Sequence, residues 1–280
     1  MQKIESVGEM RSLAAQWRRE GRLVALVPTS GALHAGHAAL IAEAKAKAHF
    51  VVVSCFVNPL AFGPNEYYSA YPRQPEADAK LAAELGVDIL FTPKAAEFFP
   101  RGYSTFLTEE LISKPLCGVS RPNHFRGVAT GMLKLLNIVA PSIVVLGQRD
   151  AQQVAVVRKI VADLCLPVEI EVAPIVREAD GLVVTVKSPN LTTGQRQEAV
   201  GIQAALLRGQ EMVRQGVRSP DRVIAEVTHL LGSRRRVRVI YITIVDPSSM
   251  EPLREIVPGR SLLAVAVWID EVRLIDNVVL

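Results

Sequence analysis

The chain has 280 residues, 49% of them hydrophobic and 21% charged, with a net charge of +4. That composition supplies a real core and excludes disordered, collagen-like and low-complexity classes. At roughly 150 residues per domain it implies one large or two modest domains, and the small, dispersed positive excess makes no case for nucleic acid or a membrane surface.

The first ten residues, MQKIESVGEM, hold no apolar signal region. Ser6 followed by Glu9 is a capping-box pattern, and Met10, Leu13, Ala14 and Trp17 fall on one helical face before a stop at Gly21. Residues 23–27 read as a buried strand bounded by Pro28. Leu33, Leu40, Ile41, Ala44 and Ala48 recur at helical spacing, and the β-branched run 50–57 is the next strand. A helix over 77–85 stops at Gly86 and a strand follows at 87–91. Beyond a loop-rich stretch come a helix at 128–139, a strand at 143–146, a helix from the cap Asp150 to Asp163, and a strand at 168–172. Strands alternating with helices predict an α/β, Rossmann-like, doubly wound parallel sheet, with ligands at the carboxyl ends of its strands. The remainder reads as helices at 193–215 and 220–231, then strands at 237–245, 262–269 and 272–278, the last two joined by a tight turn at Asp270-Glu271. This is a smaller α+β domain, and the expected division is 1–175 and 176–280. The apolar runs 50–57 and 261–269 fall far short of the ~20 residues that span a bilayer. Cys55, Cys117 and Cys165 form no CxxC pair; they are expected to be reduced, mostly buried thiols of a cytoplasmic protein.

The segment Pro28-Thr29-Ser30-Gly31-Ala32-Leu33-His34-Ala35-Gly36-His37 joins a buried strand to a helix. Two histidines three apart are expected to share a helix face. Gly36 between them lets a flat ligand approach the backbone, and a helix start favours an anion. The pattern predicts a phosphate-handling pocket in which imidazoles donate hydrogen bonds to phosphoryl oxygens. A bare HxxH pair also fits surface residues or a metal pair, though i,i+4 is the usual metal spacing.

HxGH in this context is the signature of the nucleotidyltransferase superfamily. With Phe56-Val57-Asn58-Pro59, Phe62-Gly63-Pro64-Asn65-Glu66, Tyr71-Pro72-Arg73, Leu116-Cys117-Gly118, Arg121-Pro122, His124-Phe125-Arg126-Gly127-Val128-Ala129-Thr130, Asp150-Ala151-Gln152-Gln153 and Arg177-Glu178-Ala179-Asp180-Gly181-Leu182, the chain resembles the pantothenate synthetase family over nearly its whole length. The resemblance implies an enzyme, a ligase in which a carboxylate (pantoate) attacks the α-phosphate of ATP to give an acyl-adenylate and pyrophosphate. An amine (β-alanine) then releases AMP. It implies ATP-binding residues Pro28, Ser30, Gly31, Ala32, Leu33, His34, Ala35, Gly36 and His37, a second strip Gly147, Gln148, Arg149 and Asp150, a backbone contact at Val176, and a phosphate-binding strip Val184, Thr185, Val186 and Lys187 on a second domain that closes over the site. His37, His34, Arg149 and Lys187 would be catalytic, with His37 as proton donor. Asn58, Ala61 and Gln153 would meet the substrates. Asp78 is the candidate Mg²⁺ contact, its plainer reading being a solvated helix-face carboxylate. Arg121, His124 and Arg126 read as a salt-bridged loop or dimer contact, and Arg234–Arg236 as a solvated basic run. A homodimer is implied.

The chain departs from the family inside the site. Ser30 stands for Met, Ala61 for Gln, Arg149 for Lys, Asn123 for Gly, and Val184-Thr185-Val186-Lys187 for M-S-S-R. Removing an amide at position 61 typically costs ~1–3 kcal/mol of binding. Three readings stand: a working ligase for pantoate and β-alanine, a paralogue joining a different acid or amine, and a weakly active nucleotide-binding protein. An aminoacyl-tRNA synthetase would need an anticodon-binding region for which little chain is left. A cytidylyltransferase would not account for the full set of motifs.

Overall fold

The computed structural model describes residues 1–63, 66 and 68–280. In chain order its elements are β1 (Gln2–Ile4), α1 (Val7–Arg19), β2 (Val24–Thr29), α2 (Ala35–Lys47), β3 (Phe50–Cys55), α3 (Pro75–Glu84), β4 (Ile89–Phe91), α4 (Ala95–Phe98), α5 (Cys117–Ser120), α6 (His124–Val139), β5 (Ile143–Gly147), α7 (Ala151–Asp163), β6 (Glu169–Ala173), α8 (Thr193–Arg214), α9 (Pro220–Gly232), β7 (Val237–Val245), β8 (Leu262–Ile269) and β9 (Val272–Val279). Short 3-10 turns lie at Pro59–Ala61, Gln148–Asp150 and Ser188–Asn190. The chain forms two compact units. The first comprises Met1–Glu110, Arg121–Gly147 and Val156–Pro174, and the second Leu111–Ser120, Gln148–Ala155 and Ile175–Leu280.

The first unit carries a six-stranded sheet in the order β1-β4-β3-β2-β5-β6, every neighbouring pair parallel. The expected doubly wound architecture is present. Val24, Ala25, Leu26 and Val27 of β2 are all buried, as a central parallel strand covered on both faces requires. Ile41 and Ala44 of α2 and Ala82 of α3 join Val27, Val53 and Val145 in one core layer, and Trp17 of α1 stacks on Phe50 at 4.4 Å. The strand order reverses at β2, which pairs with β3 on one side and β5 on the other. Crevices for ligands form at such a reversal, outside the carboxyl ends. The edge strand β1 has no counterpart in the expected elements. It is three residues long and holds one buried side chain, Ile4.

In the second unit β7, β8 and β9 form an antiparallel sheet, and the expected two-residue turn is present with Asp270 at φ +49°, a left-handed value that hairpin turns use. The side chains of α8, α9 and the sheet enclose a core that includes Leu206, Val223, Leu231, Val265 and Val267. Arg234 and Arg236 pair with Glu198 and Asp270 at 3.5 and 2.8 Å, so part of the basic run is spent on local ion pairs. No helix among the described residues is long and apolar enough to cross a membrane.

Candidate active site

The HxGH segment leaves the central strand β2 at its carboxyl end. His34 is not on the helix face that its spacing suggests. It is the N-cap of α2, with extended backbone (φ −147°, ψ −179°). Its Nδ1 accepts the Gly36 N–H at 3.1 Å, and His37 Nδ1 accepts the His34 N–H at 3.2 Å. The rings lie 4.0 Å apart and 31° from parallel. This is a capping box in which imidazoles replace the usual Ser/Thr and Glu/Gln. A nitrogen that accepts a hydrogen bond carries no proton, so this arrangement calls for neutral rings protonated at Nε2. Each ring then has an Nε2–H donor fixed in direction by its other nitrogen.

A second consequence concerns the backbone. The N–H groups of Gly31, Ala32, Leu33, His34, Gly36 and His37 all donate within the chain, to Thr29, Asp78, Asp78, His37, His34 and the His34 carbonyl. The amides expected to meet an anion are therefore largely occupied, and donation from this segment falls to the imidazoles and to the dipole of α2.

Asp78, in the first turn of α3, is 5% exposed, which overturns the reading of a solvated helix-face carboxylate. Its two oxygens accept the Ala32 N–H at 2.9 Å and the Leu33 N–H at 2.7 Å. Gly31 and Ala32 lie at φ +77° and +50°. Glycine tolerates that region and alanine does not readily, so Asp78 holds a strained turn in place. Among the described residues no group of three or more His, Cys, Asp or Glu side chains gathers as metal ligands would. Cys55, at the end of β3, receives a hydrogen bond from the Thr29 hydroxyl at 3.4 Å. Burial pushes its thiol up to about 11, against a smaller opposing effect of that bond.

Asn58 and Ala61 lie just beyond the carboxyl end of β3. Asn58 caps the turn Pro59–Ala61 by accepting the Leu60 N–H at 3.0 Å, and its amide donates to the Gly127 carbonyl of α6 at 2.8 Å. The Ala61 side chain is half-buried. Pro64 and Asn65 of the following motif lie outside the described residues. Arg121 forms a fork on the Glu66 carboxylate, which is the salt-bridged loop expected there, while Arg126 stacks over Phe106 at 3.7 Å.

The second unit holds the remaining candidates. The turn Gln148-Arg149-Asp150 is clasped by Asn277 of β9, whose amide donates to the carbonyls of Gln148 (3.0 Å) and Arg149 (3.1 Å). Arg149 donates to Asp150 at 2.8 Å, and its buried Nε has no partner among the described residues. Gln153 is half-buried. Its neighbour Gln152 is spent structurally, accepting the Cys117 N–H and donating to the Ile112 and Pro115 carbonyls. Val176 accepts the Val184 N–H at 3.0 Å. Thr185 closes the strip by accepting the Lys187 and Ser188 N–H groups at 3.0 and 3.2 Å, and the Lys187 ammonium donates to the Arg273 carbonyl at 2.7 Å. Arg177 makes a two-bond ion pair with the buried Asp276 at 2.7 and 2.9 Å. Asn277 and Asp276 were not among the expected residues. Their D-N pair lies within the strand expected at 272–278, and only the fold brings Asn277 to the turn at 148–149 and Asp276 to Arg177.

The candidates therefore fall into two groups, with Pro28–His37, Asn58, Ala61, Asp78 and Gly147 on the first unit and Gln148–Asp150, Gln153, Val176 and Val184–Lys187 on the second. A Rossmann-like sheet with a histidine-capped helix at its strand reversal defines an α/β protein of the HxGH nucleotide-handling class. The sequence model described as Pantoate-beta-alanine ligase matches residues 2–279. The pantothenate synthetase of Heliobacterium modesticaldum is 44% identical over 279 residues, covering all of this chain and 99% of that one. That of Thermotoga neapolitana is 42% identical over the whole of both chains. The pantothenate synthetase structure from Thermus thermophilus superposes with a TM-score of 0.94 at 38% identity, covering 99% of each chain. Pantoate-beta-alanine ligase from Francisella tularensis, complexed with "Beta-gamma ATP" and β-alanine, gives 0.80 at 31% identity, with coverage of 100% and 97%. The chain belongs to the pantoate-beta-alanine ligase family.

Proposed function

We infer that this protein condenses pantoate with β-alanine at the expense of ATP. The pantoate carboxylate attacks the α-phosphorus as the bond to pyrophosphate breaks. The free amine of β-alanine then attacks the acyl carbon, forms the amide and expels AMP. Neither step needs a covalent enzyme intermediate, so catalysis rests on positioning and charge stabilisation.

The observation that carries this reading is the reciprocal cap between His34 and His37. It fixes an Nε2–H on each ring, the form that donates to phosphoryl oxygens as charge builds on them. The backbone from Pro28 to Gly36 would line the nucleotide, with Ser30 contributing mainly its main chain. Gly147 of the first unit would add a nucleotide contact, and in the second unit Arg149 and Lys187 would supply cations, Gln148–Asp150 and Val184–Lys187 the further nucleotide contacts, and Val176 a backbone contact to adenine. Asn58, the wall at Ala61 and Gln153 would meet the acid and amine.

A magnesium ion accompanying ATP would keep phosphate and water ligands. Asp78 serves the fold of the nucleotide loop first, because both of its oxygens hold backbone amides. The reaction belongs in the cytoplasm, where three unpaired thiols stay reduced, and the working form is a homodimer, which sedimentation would test. The function itself is tested by following pyrophosphate and AMP. Pyrophosphate release should require pantoate with MgATP, and continued turnover with AMP release should require β-alanine as well; pyrophosphate release indifferent to pantoate would refute the assignment.

A further inference from the structure

Ala61 ends a turn that Asn58 caps, and four further polar ties converge on the stretch 58–63. The Ala61 carbonyl accepts two hydrogen bonds, from the Arg121 guanidinium at 3.2 Å and from His124 Nδ1 at 2.8 Å. A carbonyl can only accept, so this contact assigns the proton to Nδ1 of His124. Arg121 is itself held by the Glu66 carboxylate through Nε and Nη2. That carboxylate also accepts the Gly63 N–H at 3.2 Å, so one ion pair grips the turn at two peptides. Asn58 adds a bond to the Gly127 carbonyl at 2.8 Å. Helix α6 lies against the turn at backbone distance, since a Cβ on Gly127 would overlap the Leu60 carbonyl.

An isolated surface ion pair contributes little. This one differs because each partner carries a second bond to the main chain of the same turn, and a planar guanidinium fork sets direction as well as distance. The direction in which residue 61 presents its side chain is thus set by the start of α6 together with the turn's own cap.

We propose that Glu66, Arg121 and His124 are positioning residues that clamp the Pro59–Ala61 turn and so set the affinity for the carboxylate substrate. The proposal rests on the reading of that turn as a wall of the carboxylate pocket. It separates these residues from the ATP-handling histidines: loosening the clamp weakens the hold on the acid and leaves nucleotide binding alone.

The test uses the full-length protein and the variants Arg121→Lys, which keeps charge and loses the fork, and Glu66→Gln, which keeps shape and loses charge. Two readouts are taken. Amide hydrogen exchange at 60–63 should accelerate at least tenfold in both variants while the interior of β2 and β3 stays protected. Initial rates of pyrophosphate release should show KM for pantoate raised about tenfold, with KM for ATP within twofold and kcat nearly kept. The double variant should cost little more than either single one, because both break the same clamp. Unchanged exchange at 60–63 overturns the clamp. Faster exchange with an unchanged pantoate KM, or a KM for ATP that rises in step, overturns the positioning role and leaves a general structural effect. A wild-type protein that works with a different acid refutes the pantoate assignment alone, and the same KM comparison made with that acid decides the clamp.

Discussion

Replacing Asp78 by asparagine separates a loop brace from a metal contact. In the wild type two charge-assisted bonds, of 2.9 and 2.7 Å, hold the amides of Ala32 and Leu33. Hydrogen bonds to a charged group contribute ~1.5–3 kcal/mol each. A carboxamide keeps one acceptor and turns an NH2 group towards the other buried N–H, so one bond is lost and one donor is left unpaired. The loss comes to ~2–4 kcal/mol, which at ~2–4 °C per kcal/mol lowers Tm by roughly 5–15 °C. Ala32, at φ +50°, is then free to relax out of its left-handed conformation, and the turn that leads to His34 shifts with it. Thermal unfolding followed by circular dichroism, with pyrophosphate release measured well below Tm, should show both the drop in Tm and a fall in kcat/KM of a hundredfold or more. An Asp78→Asn protein with unchanged Tm and a raised magnesium requirement would refute this account of Asp78 and restore it as a metal contact.

Other outcomes follow from the same geometry. His37→Ala removes one Nε2–H donor and half of the cap of α2, and should slow adenylation by about two orders of magnitude; a single-turnover assay that shows no change removes His37 from the chemistry. Ala61→Gln returns an amide to the substrate wall and should raise kcat/KM for pantoate about tenfold, equivalent to ~1.4 kcal/mol; no gain means the pocket has been rebuilt around the methyl group. Gly127→Ala drives a Cβ into the Leu60 carbonyl, and overpacking of this kind costs about 1–3 kcal/mol, so Tm should fall measurably even though alanine favours helix. Cys55, with its thiol raised to about 11 by burial, stays protonated and unreactive from pH 7 to 9. Exposed Cys165 should alkylate with iodoacetamide while Cys55 does not, as peptide mass spectrometry would show.

The architecture is legible in the sequence because its signals are local. The buried run in β2, the β-branched β3 and the stripes of α2 and α6 announce a parallel sheet covered on both faces, and the D-E turn announces the last hairpin. The HxGH segment is legible as a site, but its geometry is not. Spacing places two histidines on one helix face, whereas His34 is outside the helix and caps it. Helical periodicity does not reveal where a helix begins, and histidine is an uncommon N-cap. Asp78 reads as exposed because its helix is short and weakly patterned; the groups that bury it come from a loop forty-five residues earlier in the chain. The same distance in sequence hides the clamp of Arg121 and Glu66, 55 residues apart, and the clasp of Asn277 on Gln148, 129 residues apart. Long-range polar pairs leave no periodic trace, so motifs point to the region while only the fold shows what each side chain holds.

The most direct test of the ligase assignment mixes the protein with MgATP and pantoate in the absence of an amine. A burst of about one equivalent of pyrophosphate per site is expected with no AMP in solution, and AMP release only on addition of β-alanine. Pyrophosphate formed equally without pantoate, or AMP that appears without the amine at the full rate, would contradict the assignment.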